Sequence, residues 1–205
     1  MPFKPNALYK GDCDLSPMLQ QLRNLFSAMD QAYSRVARHY QFQCDGCTDN
    51  CCLTRFYHHT YLEYYYLGRG FEKLDFRKKN RIILKAQAVC REFAKADNRE
   101  IPVKLMCPLN SDSRCILYSY RPMICRMHGI PHELHRPGQK VTHSPGCGTF
   151  HDRCSDKDYT KFDRTPFYIE MVKLENVFKQ TTGLDGRIKM TVAEMIVSLS
   201  QMKKG

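Results

Sequence analysis

The chain has 205 residues, of which 42% are apolar and 26% charged, and its 32 Lys and Arg against 21 Asp and Glu give a formal net charge of +11. A globular chain of this length buries roughly 70% of its unfolded surface. The composition excludes a disordered or collagenous chain, and no stretch approaches the ~20 uncharged apolar residues of a membrane span.

The charge surplus favours nucleic acid, anionic lipid or an acidic protein as a partner and does not bear on fold. Met1-Pro2-Phe3-Lys4-Pro5 has no apolar h-region behind it, so the expectation is a cytoplasmic protein. There are 11 cysteines. A reducing compartment disfavours disulfides, and an odd count fits a secreted framework poorly, so clustered cysteines read as metal ligands.

A long amphipathic helix is predicted over 16–41. Ser16 reads as its N-cap and Pro17 falls in the first turn, where the missing N–H costs nothing. Leu15, Leu19, Leu22, Phe26, Met29, Tyr33 and Val36 recur at threes and fours and read as core. An aromatic helix follows from Tyr57 to Leu67, ended by Gly68-Arg69-Gly70. A third is predicted from about Leu74 to Asp97, with Phe76, Ile83 and Cys90 seven apart and Ile82, Ala86, Val89 and Phe93 on the adjoining face. Its other side carries Arg77, Lys78, Lys79, Arg81, Lys85 and Arg91. That side is either a solvated face or a surface for nucleic acid or an acidic protein. No RNA-stacking consensus or DNA-reading helix signature stands beside it.

From Ile101 to Cys154 the prolines 102, 108, 122, 131, 137 and 145 and the glycines 129, 138, 146 and 148 break any long helix. A short extended piece is expected at Arg114–Tyr118. Something other than backbone ladders must tie this region down. Two helices close the chain, about Pro166–Thr181 and Val192–Lys203. The last opens with a capping box, Thr191 to Glu194, and Met190 with Met195 as a hydrophobic staple. The expected fold is mainly α, with an irregular, loop-rich cysteine region and short β pieces, the helices packed around a metal site. Its expected parts are an N-terminal amphipathic helix (1–43), a cysteine-cluster domain with inserted helices (44–154) and a C-terminal helical segment (155–205).

The first cysteine cluster reads Cys44-x2-Cys47-x3-Cys51-Cys52. A C-x2-C step lets two thiolates from one turn converge on one metal, and Gly46 supplies the backbone freedom the turn wants. Adjacent Cys51 and Cys52 diverge in an extended chain, so the pair bridges two metals, ligates a cluster from two sides, or divides into a ligand and a support. The second cluster is Cys107, Cys115, Cys125 and Cys147. Eight thiols suffice for two four-ligand sites or one polynuclear centre. Structural zinc contributes about 10–16 kcal/mol in small peptides, so a metal would hold residues 101–154 in shape. Each cysteine taken singly reads as a small buried hydrophobe.

The order Cys44-x2-Cys47-x3-Cys51-Cys52, then Cys107-Pro108 with Leu109 and Asn110, then Cys115-Ile116-Leu117-Tyr118, Arg121-Pro122 and Cys125-Arg126, then Cys147, resembles the YkgJ-like cysteine-cluster proteins. The resemblance covers about residues 44–148. It implies a zinc- or iron-chelating domain, often described as holding an iron–sulfur cluster, and relatives of that family include flagellin lysine methylases. Thiolate-only ligation suits both zinc and iron–sulfur clusters. The thiol count and the Cys-Cys pair favour a [4Fe–4S]-type cluster over Zn2+. Around the ligands, Arg121 is expected either to donate to cluster sulfurs or to make an ordinary salt bridge, and His128 is a candidate support or imidazole ligand. The expected role is structural or redox.

The alternatives are a metal-dependent enzyme of redox or methyl-transfer type and a zinc-stabilised nucleic-acid-binding protein. There is no G-x-G-x-x-G after a strand, no P-loop and no G-x-S-x-G elbow. The C-x3-C-x2-C triad of radical S-adenosylmethionine enzymes is absent, since Cys44, Cys47 and Cys51 run in the reverse order.

Overall fold

The computed structural model describes residues 14–43 and 51–201, with the backbone alone at Cys51. It is mainly helical, with two short two-stranded sheets. The described residues form two compact units, each assembled from separate stretches of chain.

Of the described residues, the first unit holds Cys52–Pro122 and Phe178–Gln201. Its α1 spans Tyr61–Glu72, with Thr60 as N-cap accepting the Glu63 N–H at 3.2 Å. The helix runs straight through Gly68-Arg69-Gly70, where the sequence predicts its end. Gly70 is there for space: a Cβ on it would stand 2.6 Å from Cδ2 of Tyr120, whose side chain lies against it. Next, α2 spans Phe76–Asn98 and is capped by Asp75, which accepts the Lys78 N–H at 2.8 Å. It buries Ile82, Ala86 and Phe93, while Phe76 stays 76% exposed and Cys90 half-buried. The core stripe is thus the second of the two predicted faces.

Strands β1 (Asn110–Ser111) and β2 (Arg114–Cys115) form a hairpin whose turn residues Asp112 and Ser113 both take positive φ. That is the primed turn matching strand twist. The extended piece predicted to Tyr118 therefore ends at Cys115, and a single 3-10 turn follows at Tyr118–Tyr120. The terminal helix, Val192–Gln201, lies against α2 and opens with the predicted capping box: Glu194 N–H donates to Thr191 Oγ1 at 3.3 Å, and Thr191 N–H to Glu194 Oε2 at 2.6 Å. Residues 202 and 203 of the predicted helix lie outside the described residues.

Of the described residues, the second unit holds 14–43, Cys51 and Met123–Val177. Its long helix, Ser16–His39, buries Met18, Leu22, Phe26, Met29, Ala32, Val36 and Ala37. Leu15 rather than Ser16 is the N-cap, and Asp14 accepts the Ser16 N–H at 2.9 Å. The helix stops short of 41 because Gln41 turns left-handed, with φ of 50°, and the Phe42 N–H reaches back to Ala37 O at 2.8 Å. This is a Schellman ending without its usual glycine. A five-residue helix, Met123–Met127, lies on the long one. A hairpin of β3 (His132–Leu134) and β4 (Thr142–Ser144) follows, with Glu133 opposite His143, then a short helix at Gly148–Cys154. Residues 165–177 of the helix Thr165–Thr182 complete it. The core holds Leu22, Phe26, Met29, Met127, Ile130, Phe150 and Phe162.

Candidate metal centre

Of the eight predicted ligands, Cys44 and Cys47 lie outside the described residues, as does the Cys51 side chain. In the first unit, backbone pairing brings Cys52, Cys107 and Cys115 into one neighbourhood. The Cys107 N–H donates to Cys52 O at 2.7 Å, Asn110 N–H donates to Cys107 O at 2.9 Å, and Asn110 pairs with Cys115 across the hairpin. The turn at Cys107-Pro108-Leu109-Asn110 also aims the Leu109 N–H at the Cys107 sulfur. An N–H aimed at sulfur favours the thiolate, as it does around metal-bound cysteines.

Burial opposes that preference. It pushes the Cys107 thiol up to about 12, with the Cys52 and Cys115 thiols adding to the rise. Each of these two neighbours disfavours the charged form of Cys107. All three are free of disulfides.

In the second unit Cys125 sits on the helix Met123–Met127 and Cys147 caps the helix Gly148–Cys154, its sulfur accepting the Phe150 N–H at 3.4 Å. The chain on either side of Cys147 is fixed by the Cys147 N–H bond to Gly129 O, at 3.0 Å. Among the described residues, no three His, Cys, Asp or Glu side chains converge closely enough to hold a metal ion. Soft, all-thiolate donors with N–H groups on two of the sulfurs fit a zinc or iron–sulfur centre in chemistry.

Arg121 turns its Nε–H to Tyr118 O at 3.0 Å and lays its guanidinium 3.5 Å from the Tyr118 ring centroid. His128 is half-buried, one residue past the Cys125 helix. The Arg126 guanidinium is buried and donates to Asp30.

Two residues carry signals that spacing could not reveal. His58 is 3% exposed, bridged through its backbone to Met190, with its pKa pushed down to about 4 by burial and by His59. Arg164 is 2% exposed. Neither stands out in a one-dimensional reading, because nothing in the local sequence says which polar side chain the fold encloses.

The basic side of α2 is exposed at Arg77, Lys78, Arg81, Lys85 and Arg91. Glu92 pairs with Lys95 at 2.8 Å, and Asp75 with Lys78 at 3.3 Å. No helix among the described residues is long and apolar enough to cross a membrane. No family model, curated protein or solved structure matches the chain.

Proposed function

We propose that this protein binds metal through its cysteine cluster, as a [4Fe–4S]-type iron–sulfur centre or as zinc, in a structural or redox role. The carrying observation is the backbone bonding that joins Cys52 to Cys107 and the Cys107 turn to the short hairpin holding Cys115, with an N–H aimed at the Cys107 sulfur. A buried thiol such as Cys107, whose ionisation burial and two neighbouring thiols oppose, gains most from a cation that takes up the thiolate's charge. The spacing of Cys44, Cys47, Cys51, Cys125 and Cys147 and the resemblance to YkgJ-like cysteine-cluster proteins make these five further candidate ligands. Arg121 and His128 are assigned to the surroundings of those donors.

The test is elemental analysis with a visible spectrum on the full chain purified without oxygen. Iron with matching sulfide and broad absorbance near ~400 nm would identify a cluster, because charge-transfer bands need an open d shell. Zinc at one or two equivalents in a colourless protein would identify a structural site. Folded protein with neither metal would overturn the reading.

A second reading rests on the exposed basic side of α2, where Arg77, Arg81, Lys85 and Arg91 share a face with few acids. A zinc-stabilised nucleic-acid-binding protein would use that face on phosphates. Its affinity for single-stranded RNA or duplex DNA would then fall steeply between ~50 and ~200 mM salt. No binding at low salt would end that reading.

A further inference from the structure

Arg164 is among the largest fully enclosed side chains of the protein, at 2% exposure. Its Nε and Nη2 atoms have no hydrogen-bond partner among the described residues. These two nitrogens form one edge of the guanidinium, the fork that takes a carboxylate or phosphate by two parallel bonds.

Three acids of this unit are engaged elsewhere. Asp163 accepts the Thr165 N–H at 2.8 Å and faces His135 at 3.8 Å. Glu133 accepts from His135 Nε2 at 2.8 Å and from the Tyr159 hydroxyl at 3.2 Å. Asp30 holds Arg126 at 2.6 Å. The Arg164 charge instead faces the Phe162 ring, 5.4 Å from its centroid, and the phenols of Tyr33 and Tyr168. His132 lies close enough to be held neutral, its pKa pushed down to about 4 by burial first and by Arg164 next. Burial likewise lowers Arg164 to about 10, and no carboxylate offsets that cost.

A buried ion is expensive unless paired, and proteins retain one where something pairs with it. The groups that act on its charge are the phenols of Tyr33 and Tyr168, with His132 alongside.

We propose that Arg164 anchors a small-anion site in the second unit, where Nε–H and Nη2–H take an oxyanion, carboxylate or phosphate, side-on beside Tyr33, Tyr168 and His132. The site is separate from the metal reading and stands whether or not the cysteines bind metal.

The experiment titrates the full chain with sodium phosphate or sodium acetate, against sodium chloride at equal ionic strength. It follows the Arg164 Nε–H resonance, assigned by its loss in Arg164→Lys, together with the Tm. The expected result is a saturable shift of that resonance in the wild-type protein with a rise in Tm; the apparent affinity read from the Tm rise falls at least tenfold in Arg164→Lys, and the rise is absent in Arg164→Met. A response to phosphate alone identifies a phosphoryl ligand, and a response to acetate alone a carboxylate; both support the site. A resonance that neither anion moves beyond chloride overturns it, as does a Tm gain that survives in Arg164→Met. Should Arg164→Met fail to fold, the wild-type resonance decides by itself.

Discussion

Arg126, buried at 6% exposure, donates its Nη1–H to Asp30 Oδ2 at 2.6 Å while its guanidinium lies 4.1 Å from the Phe26 ring centroid. The pair ties the short helix carrying Cys125 to the long helix Ser16–His39. Removing one partner of such a pair strands a buried charge, and the half-exposed Asp30 side lessens that cost. Asp30→Asn is therefore expected to destabilise by about 2 kcal/mol, read as a lowered urea midpoint with unchanged slope.

Gly146 takes φ of 92°, and a Cβ there would stand 2.7 Å from the backbone oxygen of Gly129. That same oxygen accepts the Cys147 N–H. An added methyl has no flexible neighbour to displace, and the positive φ adds strain for any L side chain. Gly146→Ala should cost about 2 kcal/mol or more. It should also lower the metal content of purified protein, because Cys147 loses its anchor. Full metal content at wild-type Tm would contradict this.

His58 has a folded pKa of about 4 against an ordinary value of 6.5, so the unfolded chain takes up its proton first as pH falls. Stability is unaffected above about pH 6.5 and is lost progressively from there down to about pH 4, by roughly 3 kcal/mol for this one group. Its Nε2 has no partner among the described residues, so His58→Phe removes a buried polar atom without stranding another. The variant should match the wild type within about 1 kcal/mol at pH 7 and lose less stability between pH 6.5 and 4. Parallel acid limbs in the two proteins would refute the assignment.

Cys107 and Cys90 give a paired comparison. Cys107 sits in the hairpin neighbourhood of Cys52 and Cys115, whereas Cys90 is half-buried on α2 beside Glu194 and Arg55. Cys107→Ser should remove most of the bound metal and lower the Tm, while Cys90→Ser should leave metal content unchanged. Equal metal loss from both, measured by elemental analysis, would remove Cys107 from the ligand set.

The sequence by itself determined where most helices lie, since periodicity and capping are local. The stripe Leu22, Phe26, Met29 and Val36 and the box Thr191–Glu194 are written in spacings of three and four. Neighbours distant in the chain settled what spacing left open. Tyr120 fills the space at Gly70, so α1 continues where two glycines predict its end. Two helical faces compete on α2, and packing against the last helix selected Ile82, Ala86 and Phe93 over Phe76. Only the tertiary structure decided which thiols share a neighbourhood, because Cys52 and Cys107 meet through a backbone bond across 55 residues of chain. It also decided that Arg164 is enclosed. Burial is a property of the whole surrounding shell, and no pattern within a few residues encodes it.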